Sequence, residues 1–255
     1  ENNLLVSAEE GLEAVRGVNE VAGWRPGEDR TSAPNFGDDA APRLPKLLPG
    51  INLVHGLQGE REETFEHNKR FLRRVLDEGL LLRRVNIRQV MAFEGTEMSE
   101  TGAEIARDHK KQFKRYKREV REEIDNPMLQ RVAPPGTVLP DVHLEYHQDG
   151  KTFGRQLGTY PLLVAVPGER ELGRTVDVAV TDHGYRSVTG VPHPLDVNRA
   201  SMDELTAVPG IGKGTAGDIV VNRPYESVDA AVAAGAGAEV DLTDFVTVES
   251  SEVAD

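Results

Sequence analysis

The stretch that decides the fold of the C-terminal part reads VPGIGKGTA, residues 208–216. It follows SMDE at 201–204, whose Ser-x-x-Glu spacing is that of a capping box at the start of a short helix. A second helical pattern carries Ile219 and Val220 and ends at Arg223-Pro224. The glycines allow a tight turn and bring backbone N–H groups to a helix N-terminus, which suits a phosphate. We therefore predict two short helices joined by a glycine hairpin.

The run from Asn198 to Pro224 resembles a helix-hairpin-helix motif in the form found in competence-type DNA-binding proteins. Two roles are open for it, contact with nucleic-acid backbone or packing alone. We expect this helical module at 196–228 and an acidic, mostly flexible tail at 229–255. For the first role, the predicted contact residues are Gly210, Ile211, Gly212 and Lys213.

The net charge of −13 is unevenly distributed over the 255 residues. Residues 1–131 hold 22 Lys and Arg against 24 Asp and Glu, whereas residues 132–255 hold 8 against 19. An acidic chain is a poor general binder of nucleic acid, because phosphate affinity depends largely on Lys and Arg. Abundant acids with scarce Lys are also typical of halophilic proteins, and molar salt screens this repulsion. The charge alone therefore does not exclude a nucleic-acid partner.

The chain contains no cysteine, so disulfides and thiolate metal sites are excluded from it. No apolar run is long enough to span a membrane and no signal peptide is visible, so we predict a cytoplasmic protein with no membrane partner. The histidines lack metal-ligand spacing, and no metal site is predicted. Because the sequence begins inside apparent coding sequence at Glu1, we expect a fragment.

Strand and helix patterns alternate in residues 1–130, which favours parallel βα units, interrupted by an irregular insertion at 24–46. Pro134-Pro135-Gly136 breaks this pattern. Short β-type segments with turn glycines follow and predict a small all-β barrel at 134–195. The predicted strands are 138–146, 151–155, 158–166, 174–182 and 185–190.

Two stretches, GINLVHGLQGE at 50–60 and RQVMAFEGT at 88–96, resemble the fifth and sixth strands of a radical S-adenosylmethionine enzyme. In the methylthiotransferase branch of that superfamily a TRAM domain, a small RNA-binding β-barrel, follows the catalytic barrel, as residues 134–192 would here. With the hairpin, the order of parts resembles an archaeal group of these proteins. The implied fold is multidomain: an α/β partial barrel, a TRAM or OB-like β-barrel and a helix-hairpin-helix.

The resemblance implies a parent enzyme that uses S-adenosylmethionine, a four-iron four-sulfur cluster and an electron donor. The family holds the cluster on a Cys-x3-Cys-x2-Cys loop that this chain lacks, so residues 50–96 alone are two structural βα units. An alternative for Arg88 is an ion pair with Glu60 or Glu94 at the barrel rim. The cofactor-binding residues implied by the resemblance are Val54, Gly56 and Gly59, with Asn52, Asn86 and Arg88 pointing inward.

A nucleic-acid substrate, tRNA or DNA, is the partner that the two appended modules suggest. In the β-barrel, Lys151, Arg155, Tyr160 and Arg186 are candidates for contacts with RNA, and a plain interaction module is the alternative. The rival to the enzyme is a non-catalytic nucleic-acid-binding protein, and the oligomeric state stays open. A basic helix face is either solvated or an RNA docking surface; it comprises Lys110, Lys111, Lys114, Arg115, Lys117, Arg118 and Arg121.

Overall fold

The computed structural model describes residues 6–22, 44–45, 47–96, 98–99, 101–158, 161–234 and 245–248. Tyr160 and nearly all of the expected insertion 24–46 therefore lie outside the described residues. The chain divides into two units, Glu1–Ala33 with Pro45–Val132 and Pro34–Leu44 with Ala133–Asp255. None of the described helices has the length and apolar character needed to cross a membrane.

The first unit is built on two parallel strands, β1 (Gly50–His55) and β2 (Arg84–Gln89). Helix α2 (Glu62–Asp77) connects them, as the alternating pattern predicts, because parallel neighbours need a crossover. Its buried stripe includes Phe65 and Leu72. The sheet of the described residues has two strands. The other elements are α1 (Ala8–Ala22), α3 (Thr101–Asp108), α4 (Lys110–Val120), a π-helical turn (Arg121–Asp125) and α5 (Asn126–Val132).

The second unit contains a closed five-stranded barrel with the order β3-β4-β5-β7-β6. All neighbouring strands are antiparallel except β5 and β7, which are parallel. The small barrel predicted from the short β-type segments is therefore present. Its strands are β3 (Val138–Gln148), β4 (Lys151–Arg155), β5 (Leu163–Pro167), β6 (Thr175–His183) and β7 (Ser187–Pro192).

Two strand glycines allow the barrel to close. A Cβ added at Gly190 would lie 2.5 Å from the carbonyl oxygen of Ala179 on β6. A Cβ at Gly154 would collide with the carbonyl oxygen of His143 on β3. Since backbone atoms cannot move aside as a flexible side chain can, these positions require glycine.

Three short helices and two short strands follow the barrel in the part of the second unit that the structure describes. They are β8 (Leu195–Asp196), α6 (Met202–Ala207), α7 (Lys213–Val221), α8 (Val228–Ala234) and β9 (Val246–Thr247). Ala179 and Val191 of the barrel share one hydrophobic cluster with Leu205 and Ile219 of the helices, so barrel and hairpin pack together.

Part of the segment 229–255, expected to be mostly flexible, is ordered in the structure. Strand β9 pairs in parallel with β8, placing Val246 opposite Leu195. Phe245 and Val246 are buried in the cluster that holds the hairpin helices. The acidic composition of this segment predicted flexibility, because the two apolar side chains pair with a strand about fifty residues earlier in the chain.

Candidate nucleic-acid interface

Helix α6 begins with the capping box predicted from the sequence. The Glu204 amide donates to Ser201 Oγ at 3.2 Å, and the Ser201 amide donates to Glu204 Oε2 at 2.7 Å. The second carboxylate oxygen of Glu204 accepts a hydrogen bond from the guanidinium of Arg170, which follows β5. These contacts fix the first hairpin helix to the barrel.

The turn after α6 is anchored by buried apolar side chains. Val208 and Ile211 are both buried, and the Ile211 amide donates to the Val208 carbonyl at 3.1 Å. Between them, Gly210 adopts a φ of +85°, in the left-handed region that favours glycine. Ile211 was predicted to contact nucleic acid, but its side chain and its amide are both used inside the hairpin. It anchors the turn instead.

The N-terminus of α7 presents free backbone donors. The amides of Lys213, Gly214 and Thr215 have no hydrogen-bond partner among the described residues, since the first bond of the helix is from Ala216 to the Gly212 carbonyl. A Cβ placed at Gly212 or Gly214 would meet no atom within 4 Å. Both glycines are also exposed, so the start of α7 is open to solvent, where an anion can meet the amides. The predicted contact residues were 210–213, whereas the amides without a partner among the described residues are those of 213–215.

Lys213 is the cation next to these donors. Its side chain is exposed, and no acidic partner is found for it among the described residues. The other two cations of the module are engaged: Arg223 donates to the Ala200 carbonyl at 2.6 Å, and Arg199 lies 3.5 Å from Asp196. The hairpin thus offers a phosphate one exposed positive charge and the dipoles of three backbone amides.

The structure describes three of the four barrel residues predicted to bind RNA. Lys151 is exposed at the β3–β4 turn, and Arg155 is paired with Glu145. Arg186 is exposed but already has an interaction partner. Tyr160 lies outside the described residues.

A stacked aromatic pair on the barrel was not predicted from the sequence. Tyr146 of β3 faces Phe153 of β4, with ring centroids 5.1 Å apart and planes inclined by 6°. Both rings are half-buried on the outer face. Their equal spacing from the Asp149-Gly150 turn was the available signal, because it places them opposite each other across a hairpin. Such rings provide a surface on which bases can stack.

The candidate cofactor residues of the first unit lie together on one side of the sheet. Asn52, Val54 and Arg88 are exposed there, and the Asn86 side chain donates to Asn52 Oδ1 at 3.0 Å. Gly56 and Gly59, in the turn after β1, both have a φ of +84°. The chain does not fit an iron–sulfur cluster, because it has no cysteine. Two strands also do not enclose an adenosyl group.

A buried histidine–glutamate pair stabilises the same turn and was not predicted. His55 Nδ1 lies 2.9 Å from Glu60 Oε2, which also accepts the Gly56 amide at 3.0 Å. His55 stacks on Phe65 with centroids 4.7 Å apart and meets Tyr116 edge-on at 5.0 Å. Burial raises the pKa of Tyr116. Since Glu60 is engaged here, it is not the ion-pair partner of Arg88 in the described structure.

Comparison with known proteins supports the hairpin. Residues 194–221 match the family described as "Helix-hairpin-helix motif", so the predicted motif is present. The chain is 45% identical over 198 residues to an uncharacterised protein of Archaeoglobus fulgidus, covering 77% of this chain and 36% of that protein. It is 47% identical over 191 residues to an uncharacterised protein of Methanocaldococcus jannaschii, covering 74% of this chain and 33% of that protein. The chain thus spans about a third of the length of these relatives.

Proposed function

We propose that this chain binds the phosphate backbone of nucleic acid, tRNA or duplex DNA, through the hairpin at residues 209–215, without reading sequence. The observation that carries the proposal is a group of three amides, at residues 213–215 of a helix-hairpin-helix motif, that have no partner among the described residues and lie next to the Lys213 side chain. Phosphate contacts of this kind fix position and carry no sequence information. With a chain charge of −13, we expect a Kd in the non-specific range of about 10⁻⁴–10⁻⁶ M.

The test is a titration of the chain against labelled tRNA and labelled duplex DNA at several salt concentrations. Gly212→Val should weaken binding, because its side chain would occupy the open space in front of the amides. The fold should tolerate it, since Gly212 has a φ of −79° and a ψ of 170°, which any residue adopts. Lys213→Ala should lower the salt slope by about one.

Matched controls separate this effect from a general loss of charge or of glycine. Arg174→Ala removes a cation that is 70% exposed elsewhere in the same unit, and Gly158→Val adds a side chain in open space in the connection between β4 and β5. Both should leave binding unchanged. If the wild type binds neither nucleic acid, or if the two hairpin substitutions act no more strongly than their controls, the hairpin serves packing alone.

A second candidate concerns the longer protein. We propose that residues 1–130 contribute to a radical S-adenosylmethionine barrel, that the small barrel is a TRAM domain, and that the substrate is a nucleic acid. In support, helices cover one face of the parallel pair and leave Asn52, Val54 and Arg88 open on the other, as expected for side chains inside such a barrel. The cluster would have to be held by residues outside this chain.

This second proposal is tested on a full-length relative, not on the chain. The Methanocaldococcus jannaschii protein, purified without oxygen, should contain about four iron and four sulfide per molecule, and the present chain should contain none. A full-length protein free of iron after reconstitution would leave the chain as a part of a non-catalytic nucleic-acid-binding protein.

A further inference from the structure

We infer that one face of α4 is a second docking surface for nucleic-acid phosphates. At 3.6 residues per turn, five cations of α4 and Arg121, the residue that follows it, fall within an arc of about 120° and extend over about 16 Å of helix. We call this surface the α4 basic stripe. Its members are Lys110, Lys111, Lys114, Lys117, Arg118 and Arg121.

Among the described residues, the stripe differs from the basic residues around it, because those residues are paired with acids and the stripe cations are not. Lys69 contacts Glu119 at 2.7 Å, and Arg73 pairs with Glu123. Arg115, which the sequence placed on the same face, lies 3.6 Å from Glu119 and belongs to this paired set. For the six stripe cations, no acidic partner is found among the described residues. Lys117 only stands over the ring of Phe113, at 5.6 Å from its centroid.

An uncompensated stripe of this kind opposes helix stability. Like charges three or four residues apart on a helix repel each other, and Lys114 has such neighbours on both sides, at Lys110 and Arg118. The chain has 43 acidic residues against 30 basic ones, yet none neutralises this face in the described structure. The surface is complementary to a polyanion, which gains affinity by releasing counterions for each phosphate neutralised.

The inference rests on the proposed function, because it assigns a second contact to the same nucleic acid. The test compares two triple variants of the full chain, each of which removes three positive charges from the first unit. The stripe variant is Lys110→Gln, Lys111→Gln and Lys114→Gln. The control variant is Arg70→Gln, Arg73→Gln and Arg74→Gln, on exposed positions of α2.

Binding to labelled tRNA and duplex DNA is measured by anisotropy as a function of salt. The stripe variant should lower the slope of log K against log salt for duplex DNA by about 2–3, since each phosphate contributes about 0.9. The control variant should change it by less than one. Lys110→Arg, Lys111→Arg and Lys114→Arg together should retain the wild-type slope. In the wild-type chain, bound nucleic acid should protect these three lysines from acetylation, a readout that needs no variant.

An unchanged slope in the stripe variant, while Lys213→Ala still lowers it, would overturn this inference and leave the proposed function standing. A wild type that binds neither nucleic acid would overturn both. Binding to anionic phospholipid vesicles that is lost in the stripe variant, with nucleic-acid binding unaffected, would assign the stripe to a membrane surface and also overturn the inference.

Discussion

Asn198 and Tyr225 hold the two ends of the hairpin module together by a reciprocal pair of hydrogen bonds. The Asn198 side-chain amide donates to the Tyr225 carbonyl at 3.0 Å, and the Tyr225 amide donates to Asn198 Oδ1 at 2.8 Å. The Tyr225 hydroxyl donates to the Ile219 carbonyl at 3.0 Å, and burial raises its pKa. One asparagine thus satisfies both backbone groups of a residue 27 positions away.

Replacing Asn198 with Ala should destabilise the second unit by about 1–3 kcal/mol, because a buried donor and acceptor of Tyr225 lose their partners. Urea unfolding followed by circular dichroism measures the change. Asn222→Ala is the matched control, since Asn222 is exposed and its side chain only donates to Asp218 within the same helix. An equal loss of unfolding free energy in the two variants would show that the hydrogen bonds of Asn198 contribute no more than an exposed side-chain bond.

Glu60→Gln should destabilise the first unit, also by about 1–3 kcal/mol. Glu60 Oε2 accepts from both the Gly56 amide and His55, and Glu60 Oε1 is buried without a partner among the described residues. A glutamine that keeps its oxygen at the Oε2 position must therefore bury its NH₂ group without an acceptor. Thermal unfolding of the chain gives the readout, with the exposed Glu20→Gln as control. Wild-type stability in Glu60→Gln would mean that the pair is replaceable.

Gly190→Ala should disrupt the barrel, at a cost of at least about 1–3 kcal/mol, because the added methyl meets the Ala179 carbonyl and the Val178 side chain. Gly158→Ala adds the same atom in open space and should be nearly neutral. Urea midpoints of the two variants provide the comparison. A stable Gly190→Ala protein would require β6 and β7 to separate without loss, which contradicts the close approach seen here.

Salt should stabilise the chain. With a net charge of −13, repulsion between acids exceeds the attraction within ion pairs, and raising KCl shortens the Debye length from about 10 Å at 0.1 M to about 3 Å at 1 M. We expect the melting temperature to rise between these concentrations. A fall would indicate that paired charges such as Arg16 and Glu78, 2.6 Å apart, dominate the electrostatics and that the halophilic interpretation is wrong.

The barrel and the hairpin could be predicted because their signals are local. Turn glycines and the alternation of apolar and polar residues indicate where the strands lie. The capping box of Ser201 and Glu204 indicates where α6 begins. The prediction for the hairpin was less accurate within the turn. Ile211 lies among polar and small residues in the sequence, and only the packing against Val208 and the helices shows that it faces inward.

The features that the sequence did not predict depend on contacts between residues far apart in the chain, or on a local backbone geometry that has no recognisable sequence motif. Phe245 and Val246 are isolated apolar residues in an acidic segment, and their burial follows from pairing with β8. His55 and Glu60 are close in sequence, but their pairing depends on a turn formed by two left-handed glycines. The stacked Tyr146 and Phe153 required the register of β3 with β4.

The pairing of β8 with β9 has a consequence for synthesis of the protein. The Leu195 amide donates to the Phe245 carbonyl at 2.9 Å, and the Val197 amide donates to the Thr247 carbonyl at 3.0 Å. Strand β8 therefore cannot pair until β9, about fifty residues later in the chain, has been translated. On the ribosome, the barrel strands are all available while β9 is still unmade. The nascent chain therefore exposes part of the hairpin's hydrophobic cluster until residues 245–248 have left the exit tunnel, and a chaperone that binds apolar segments would find its target in that interval.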